Sequence, residues 1–156
     1  MNEVHLQIFK SEYLESLSQF HLPHEQEKFT AMPSEMLEVS NKRHPIVILN
    51  KLEPVGFFVL HSSERVKEYT DNPKAMLLTA FSINFKHQGK GYAKNGLNQI
   101  DSFVKKLFPW SNEIILAVNY KNISAQKLYK KVGFKDTGNR KIGKLGEQYI
   151  FSYKIT

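Results

Sequence analysis

A glycine-containing loop at residues 85–93 is the part of the sequence whose residue types and spacing point most directly to chemistry. It follows an apolar run at residues 76–83 and leads directly into a helical pattern. Gly89 and Gly91 have no Cβ, so the backbone can approach an anion closely, and the first amides of a helix lack intrahelical acceptors. The segment therefore predicts a phosphate-binding loop. Three lysines add positive charge to it: Lys86, Lys90 and Lys94.

Two common phosphate-binding motifs do not match this loop. The dinucleotide-binding pattern G-x-G-x-x-G, started at Gly89, requires glycine or alanine where the chain has Lys94. The P-loop pattern G-x-x-x-x-G-K, started at Gly91, reaches Gly96 but continues with Leu97 instead of lysine. A tight turn between a strand and a helix, with no ligand, is the structural alternative for so short a glycine motif.

A second motif, at residues 122–134, has the spacing of a capped helix. Asn122 is a good N-cap residue, and Gly133 suits the position just after a helix ends. Ala125 and Tyr129 are four residues apart and so share one helix face, where the small side chain leaves room for a thin ligand beside the phenol. The alternatives are purely structural: a helix cap at Asn122 and an ordinary half-buried aromatic at Tyr129.

Together, the two segments resemble the GNAT superfamily of N-acetyltransferases. Gln88, Gly91 and Ala93 match its Q/R-x-x-G-x-G/A signature, and residues 122–134 match its N-x-x-A-x-x-L-Y-x-x-x-G-F pattern at every specified position. The resemblance implies that the loop amides bind the pyrophosphate of coenzyme A and that the preceding strand pairs with its pantetheine arm. The coenzyme-binding residues that it implies are Phe81, Ser82, Ile83, Gln88, Gly89, Lys90, Gly91, Tyr92, Ala93, Lys94, Asn122 and Lys131.

The resemblance also implies a reaction, the transfer of an acetyl group from acetyl-CoA to a primary amine. The chain has no cysteine, so a cysteine-bound acyl intermediate is excluded and direct transfer in a ternary complex is expected. In this family a backbone amide near Ile83 would stabilise the oxyanion, and Tyr129 is the expected catalytic acid for the departing thiolate. Reference pKa values of about 10 for tyrosine and 8.5 for a thiol make full proton transfer uphill by about 2 kcal/mol. Glu113 and Asn119 are the candidates for holding a deprotonating water.

The hydrophobic pattern predicts an α/β fold. Apolar strands at residues 76–83 and 114–118 flank a helical pattern at residues 92–108, and this crossover makes the two strands parallel. One face of that helix is expected to carry Ala93, Leu97, Ile100, Val104 and Leu107. Further strands are predicted at residues 4–9, 45–49, 55–60 and 148–155, and further helices at residues 11–20 and 25–40. The prediction is a single GNAT-fold domain over residues 1–156, with a mixed, mostly antiparallel sheet of about seven strands, a central parallel pair and about four flanking helices.

The composition fits a protein that folds in water. Hydrophobic residues make up 41% of the 156 residues and charged residues 24%, and no apolar run is long enough to span a membrane. The first residues lack a signal-peptide pattern, so a cytoplasmic location without a membrane partner is expected. His21 and His24 have H-x-x-H spacing but no third ligand nearby, and no cysteine is present, so no metal is expected. A homodimer is left open.

Charge is distributed unevenly along the chain. Residues 1–78 hold 8 basic and 11 acidic side chains, whereas residues 79–156 hold 14 basic and 4 acidic ones, giving −3 and +10. The basic half contains both coenzyme motifs, and coenzyme A is a polyanion. The acidic half carries four glutamates on segments that shape the acceptor site in the resembled family: Glu25, Glu27, Glu35 and Glu38. A small cationic amine such as a polyamine is therefore the expected acceptor, with a peptide or protein amino group as the alternative.

Two other functions stay open on the sequence alone. The +10 charge and aromatics such as Tyr92, Trp110 and Tyr120 would suit a nucleic-acid-binding module. The chain has no recognised nucleic-acid motif and spreads its basic residues over several elements, so nucleic acid is not the expected partner. A GNAT-fold protein that binds coenzyme A without catalysis is the other alternative, and the presence of Tyr129 argues against it.

Overall fold

The computed structural model describes residues 3–32 and 40–156, and the chain folds as two compact units. Unit 1 comprises Met1–Leu60 and Thr79–Ile100, and unit 2 comprises His61–Leu78 and Asp101–Thr156. Each unit therefore draws on two separate stretches of sequence, so its core depends on contacts between residues far apart in the chain.

Unit 1 contains the glycine loop. Its strands are β1 (Val4–Ile8), β2 (Arg43–Asn50), most of β3 (Glu53–His61) and the second half of β4 (Ala75–Ile83). Its helices are α1 (Leu14–Ser18), α2 (His24–Glu27) and α3 (Tyr92–Leu97). β1 runs antiparallel to β2, from Val4 opposite Asn50 to Ile8 opposite Ile46. The near-continuous burial of β2 and β3 shows that both faces of these strands are covered. One cluster of the core consists of Leu17, Phe20, Val47, Leu49, Phe57 and Val59.

Unit 2 contains the second motif. Its helices are α4 (Ile100–Leu107), which begins at the last residue of unit 1, and α5 (Ile123–Lys131). Its strands are the first half of β4, β5 (Glu113–Asn119), β6 (Lys135–Gly143) and β7 (Gly146–Lys154). One cluster of its core consists of Val66, Ala75, Leu77, Ile115 and Ile150. The parts of the central strands β4 and β5 in this unit are buried along most of their length.

The described strands form a mixed sheet in the order β1-β2-β3-β4-β5-β7-β6. β4 and β5 are parallel, with Ala75 opposite Glu113 and Leu77 opposite Ile115. β5 pairs antiparallel with β7 along the whole length of β5, and β7 also pairs with β6 in a hairpin. The predicted seven-stranded mixed sheet with a central parallel pair is confirmed. That all 156 residues form a single domain stays a prediction.

The predicted helix at residues 25–40 is wrong over residues 28–32. The helix ends at Glu27, and the next amides close short turns in which Phe29 bonds to Gln26 (3.0 Å) and Thr30 to Glu27 (3.3 Å). Pro33 disfavours helical backbone at the residue before it, so the pattern cannot continue as a helix up to that point. Residues 33–39, which include Glu35 and Glu38, lie outside the described residues.

The predicted helix at residues 92–108 is two helices, α3 and α4, separated by a turn at Asn98 and Gln99. The Gln99 amide bonds to the carbonyl of Gly96 (3.1 Å), which tightens the turn, and its side chain donates to the carbonyl of Val4 (2.6 Å). The expected buried face is also wrong at its end. Leu107 is 42% exposed, and Phe108 is buried in its place.

Glu113, at the start of β5, is a buried carboxylate with three hydrogen-bond donors. Asn72 donates from 2.8 Å, Lys154 donates from 2.6 Å, and the Ser152 hydroxyl also donates to it. Burial raises the pKa of Glu113, but these donors outweigh burial and leave the pKa below its usual range. The carboxylate therefore stays ionised and ties β5 to β7 and to the segment before β4.

We expect Glu113→Gln to lower the free energy of unfolding by about 1–3 kcal/mol, because an amide turns its NH₂ group toward existing donors. Urea denaturation at pH 7 measures the loss. Because the folded pKa is lowered, the stabilisation is present above the unfolded pKa of about 4.3 and disappears as the pH falls through the folded pKa. Glu147→Gln, at a surface pair 3.9 Å from Arg140, is the control and changes stability by less than about 1 kcal/mol. Loss of turnover without loss of stability in Glu113→Gln would make Glu113 a catalytic base instead.

Candidate functional site

The glycine loop follows β4 directly in unit 1. A short 3₁₀-helix, Phe85–His87, leads into it, and α3 begins at its other end. Gly89 has φ +79° and Gly91 has φ +83°, a left-handed backbone that only glycine adopts without strain. A Cβ added at Gly89 would meet no atom within 4 Å, and one at Gly91 would meet only the Asn95 amide at 4.0 Å. The loop therefore has open space around it that an anion could enter.

Six consecutive amides, those of residues 89–94, point to what this loop can bind. Among residues 3–32 and 40–156, none of the six has a recorded acceptor, and the first amide beyond them, that of Asn95, bonds to the Gly91 carbonyl (3.0 Å). Lys90 and Lys94 are exposed within the same run. A row of backbone donors with two lysines is suited to the oxygens of a phosphate or diphosphate.

The side chain of Gln88 contributes to this loop in a way that the sequence did not predict. Its Nε2 donates to the carbonyl of Ile83 (2.9 Å) and to Oε1 of Gln26 (2.9 Å), while its own Oε1 accepts from Gln26 Nε2 (3.2 Å). Its backbone amide donates to the Phe85 carbonyl (3.1 Å). Gln88 therefore fixes the start of the loop, and both its amide and its side chain are engaged by protein atoms.

Two further contacts hold the loop against the β2–β3 hairpin. His87 is buried, and its Nε2 lies 3.2 Å from the Glu53 carboxylate without hydrogen-bond geometry. The Tyr92 hydroxyl accepts a hydrogen bond from the Asn50 amide (2.9 Å), and its ring packs against that of His87 with centroids 6.1 Å apart. Tyr92 is predicted as a coenzyme-binding residue. Its hydroxyl is instead engaged by the Asn50 side chain, and only its backbone amide belongs to the row of six donors.

A cavity of about 210 Å³ lies beside the start of the loop. Its charged lining groups include Glu53 and Lys86, whose carboxylate and ammonium are 3.8 Å apart. Since these opposite charges offset each other, the cavity has no strong preference for a cation or an anion, and we assign no ligand to it.

The end of β4 contains a backbone feature with no sequence signal. Ala80 has φ +58°, which costs a non-glycine residue about 1–3 kcal/mol. The three residues after it are those that the family resemblance assigns to the pantetheine arm. Phe81 stacks on Phe58 with centroids 5.9 Å apart, whereas the hydroxyl of Ser82 is buried with no hydrogen-bond partner among the described residues. Ile83 presents its carbonyl to Gln88. Strain at Ala80 thus lies two residues before the buried hydroxyl of Ser82.

The second motif folds in unit 2 as its pattern predicts. The Asn122 side chain caps α5 by accepting from the Ala125 amide (3.4 Å), and Gly133 follows the helix with φ +111°. Tyr129 is buried, and its ring lies 5.7 Å from that of Phe134. Lys131 is exposed at the end of the helix. The capped helix is therefore confirmed, and it presents one buried phenol and an exposed cation.

Burial raises the pKa of Tyr129 well above its ordinary value. The phenol therefore keeps its proton throughout the physiological pH range and can act as a hydrogen-bond donor. Because a higher pKa makes a weaker acid, full proton transfer to a thiolate is more uphill than reference values suggest. A strong hydrogen bond to a departing sulfur is consequently the chemistry that this tyrosine supports best.

Neither candidate for holding a deprotonating water has a side chain available for that task. Glu113 is held by its three donors in unit 2. Asn119 donates to the Leu145 carbonyl (3.1 Å) and accepts from the Lys121 amide (2.8 Å). Both side chains have structural roles, and the structure does not support the general-base hypothesis for either of them.

Residues 3–32 and 40–156 contain no group of three histidine, aspartate or glutamate side chains arranged to hold a metal ion. No described helix is long and apolar enough to cross a membrane.

Comparison with known proteins identifies the family. The sequence model of the Acetyltransferase (GNAT) family matches residues 6–134. A Bacillus subtilis (strain 168) protein named uncharacterized N-acetyltransferase YbbJ is 45% identical over 155 residues, which cover 97% of both chains. The chain belongs to the GNAT acetyltransferase family and is an N-acetyltransferase.

Solved structures share the fold at low sequence identity. An aminoglycoside acetyltransferase, AAC(6')-Ib, in complex with coenzyme A and kanamycin, has a TM-score of 0.78 and 16% identity, over 97% of this chain and 94% of that one. Spermidine N-acetyltransferase from Vibrio cholerae, in complex with coenzyme A and spermine, has a TM-score of 0.75 and 14% identity, over 99% and 97% of the two chains. At these identities the likeness shows the fold alone.

Proposed function

We propose that this protein transfers the acetyl group of acetyl-CoA directly to a primary amine, with a small cationic amine as the acceptor. The observation that carries the proposal is the row of six amides at residues 89–94, which lacks acceptors within the described chain and lies in the GNAT signature. The left-handed glycines and open space at this loop fit a diphosphate. Acetyl-CoA would supply an activated thioester, and the protein would supply binding, orientation and hydrogen bonds.

The proposed coenzyme contacts divide by chemical group. The amides of residues 89–94, with Lys90 and Lys94, bind the diphosphate. The backbone of residues 81–83 pairs with the pantetheine amides, and an amide near Ile83 stabilises the oxyanion that forms during attack. Asn122 and Lys131 contact the rest of the coenzyme, with Lys131 directed to the 3′-phosphate. These assignments rest on the family motifs together with the geometry of each segment.

Tyr129 is the proposed catalytic residue. Its raised pKa keeps the hydroxyl protonated, so it can donate a hydrogen bond to the sulfur as the carbon–sulfur bond breaks. Since the chain contains no cysteine, the acetyl group passes to the amine without a thioester on the protein.

The acceptor proposal depends on charge. Glu25 and Glu27 lie on the exposed helix α2, and residues 1–78 carry more acidic than basic side chains. Acidic side chains raise the local concentration of cations. Of the two solved structures with the same fold, one is a complex with kanamycin and the other a complex with spermine. A peptide or protein amino group is the alternative acceptor.

Gly91→Val is expected to abolish the increase in melting temperature that acetyl-CoA gives the wild-type protein. Ligand at 100 times its Kd stabilises a folded protein by about 2.7 kcal/mol. Valine at this left-handed position would strain the loop and place a branched side chain where the diphosphate binds.

Gly138→Val is the matched control for that experiment. Gly138 has φ +86° and also has no atom within 4 Å of an added Cβ, but it lies on β6. Its variant should keep the acetyl-CoA shift. A folded Gly91→Val protein with a full shift would remove the loop from the coenzyme site.

Tyr129→Phe should keep coenzyme binding but lower kcat by roughly 10- to 10⁴-fold, because the departing sulfur loses its hydrogen-bond donor. Steady-state release of coenzyme A measures the change. Tyr149→Phe, on β7, is the control and should retain wild-type turnover. Wild-type kcat in Tyr129→Phe would assign this tyrosine to packing only.

The acceptor is tested by comparing kcat/KM for spermidine, a neutral arylamine and a lysine peptide at two salt concentrations. We expect spermidine to be preferred, the preference to weaken with salt, and the rate to rise between pH 7 and about 9 as the amine loses its proton. Glu25→Gln with Glu27→Gln should reduce the preference for spermidine. A salt-insensitive preference for the neutral amine would contradict the cationic acceptor while leaving acetyl transfer intact.

A further inference from the structure

We propose that Gln26, on α2, is a positioning residue for the coenzyme loop and acts through the side chain of Gln88. This inference rests on the proposed binding of coenzyme A by residues 89–94. Gln26 belongs to neither family motif, and it lies 62 residues before Gln88 in the chain.

The contact between the two side chains is reciprocal. Each primary amide donates to the oxygen of the other, at 2.9 Å and 3.2 Å, so the pair fixes the orientation of both groups. Once Gln26 holds Oε1 of Gln88, the Nε2 of Gln88 is directed at the carbonyl of Ile83. Gln26 thereby restrains Gln88, the residue before Gly89, and through it the carbonyl of Ile83 at the end of β4.

Gln88 is one of a few side chains that restrain this loop, together with His87 and Tyr92. Two glycines carry a high entropic cost when they are ordered, and six amides make no recorded bond within the described chain. Its far end is fixed by the Asn95–Gly91 bond at the start of α3, and its near end by Gln88. Loss of the Gln26 contact should let the near end move, so that coenzyme binding must then order it.

α2 is itself held next to the loop by backbone contacts. The amide of His21 donates to the Asn84 side chain (3.0 Å), and the amide of Phe85 donates to the His21 carbonyl (2.8 Å). These bonds place the chain before α2 against the end of β4. They do not involve Gln26, so we expect a Gln26 variant to stay folded and change loop order only.

The test is a double-substitution cycle that uses coenzyme A as the probe in isothermal titration calorimetry. Gln26→Ala should raise the Kd of coenzyme A by about 3- to 10-fold, the range for one or two exposed hydrogen bonds. In a Gln88→Ala background the same substitution should change the Kd by less than about twofold, because its partner is already gone. Gln26→Glu, which keeps an acceptor for Gln88 Nε2, should recover most of the affinity.

Steady-state kinetics separate positioning from a general loss of structure. Gln26→Ala should raise the KM for acetyl-CoA and leave kcat and the melting temperature close to wild type. The control is Gln19→Ala, at an exposed glutamine that directly follows α1, and it should change none of these three quantities. An unchanged Kd in Gln26→Ala, or an equal loss in both backgrounds, would overturn the proposal. Failure of the wild-type protein to bind coenzyme A would instead overturn the proposed function on which it rests.

Discussion

The structure depends on one constraint: a loop that exposes six consecutive amide donors must still hold a defined shape. Backbone amides without a partner are costly wherever water cannot reach them, so such a row persists on a surface or opposite a ligand. At residues 89–94 the row combines two left-handed glycines with the first turn of α3, whose amides have no acceptor within the helix. The order of the loop therefore has to come from its surroundings.

The surroundings provide that order through side chains that have no part in the proposed chemistry. Gln88 holds the carbonyl of Ile83, His87 lies against Glu53, and the Tyr92 hydroxyl accepts from Asn50. These contacts connect the loop to β4 and to the β2–β3 hairpin, which are buried along most of their length. Catalysis by positioning requires such support, since a displacement of about 1 Å in a bound substrate can cost 100-fold in rate.

Motifs with a local cause could be predicted from the sequence, and features with a tertiary cause could not. The cap at Asn122, the glycine after α5 and the parallel β4–β5 pair follow from short patterns, and the structure confirms them. The left-handed backbone of Ala80 and the Gln26–Gln88 pair have no pattern, because alanine does not signal positive φ and the two glutamines are distant in sequence. The break between α3 and α4 also has a tertiary cause, because the Gln99 side chain bonds to the carbonyl of Val4 in β1, which is distant in sequence. A cytoplasmic location and a single domain stay predictions.

The measurement that tests the central claim most directly is hydrogen–deuterium exchange of the backbone amides with and without coenzyme A. Amides without acceptors exchange quickly, and a diphosphate bound to them should slow that exchange. We expect strong protection of the peptides that cover residues 89–94, together with the strand residues 81–83 that pair with the pantetheine amides. Unchanged exchange there at saturating coenzyme A, with protection in other segments, would contradict the claim that this loop binds the coenzyme.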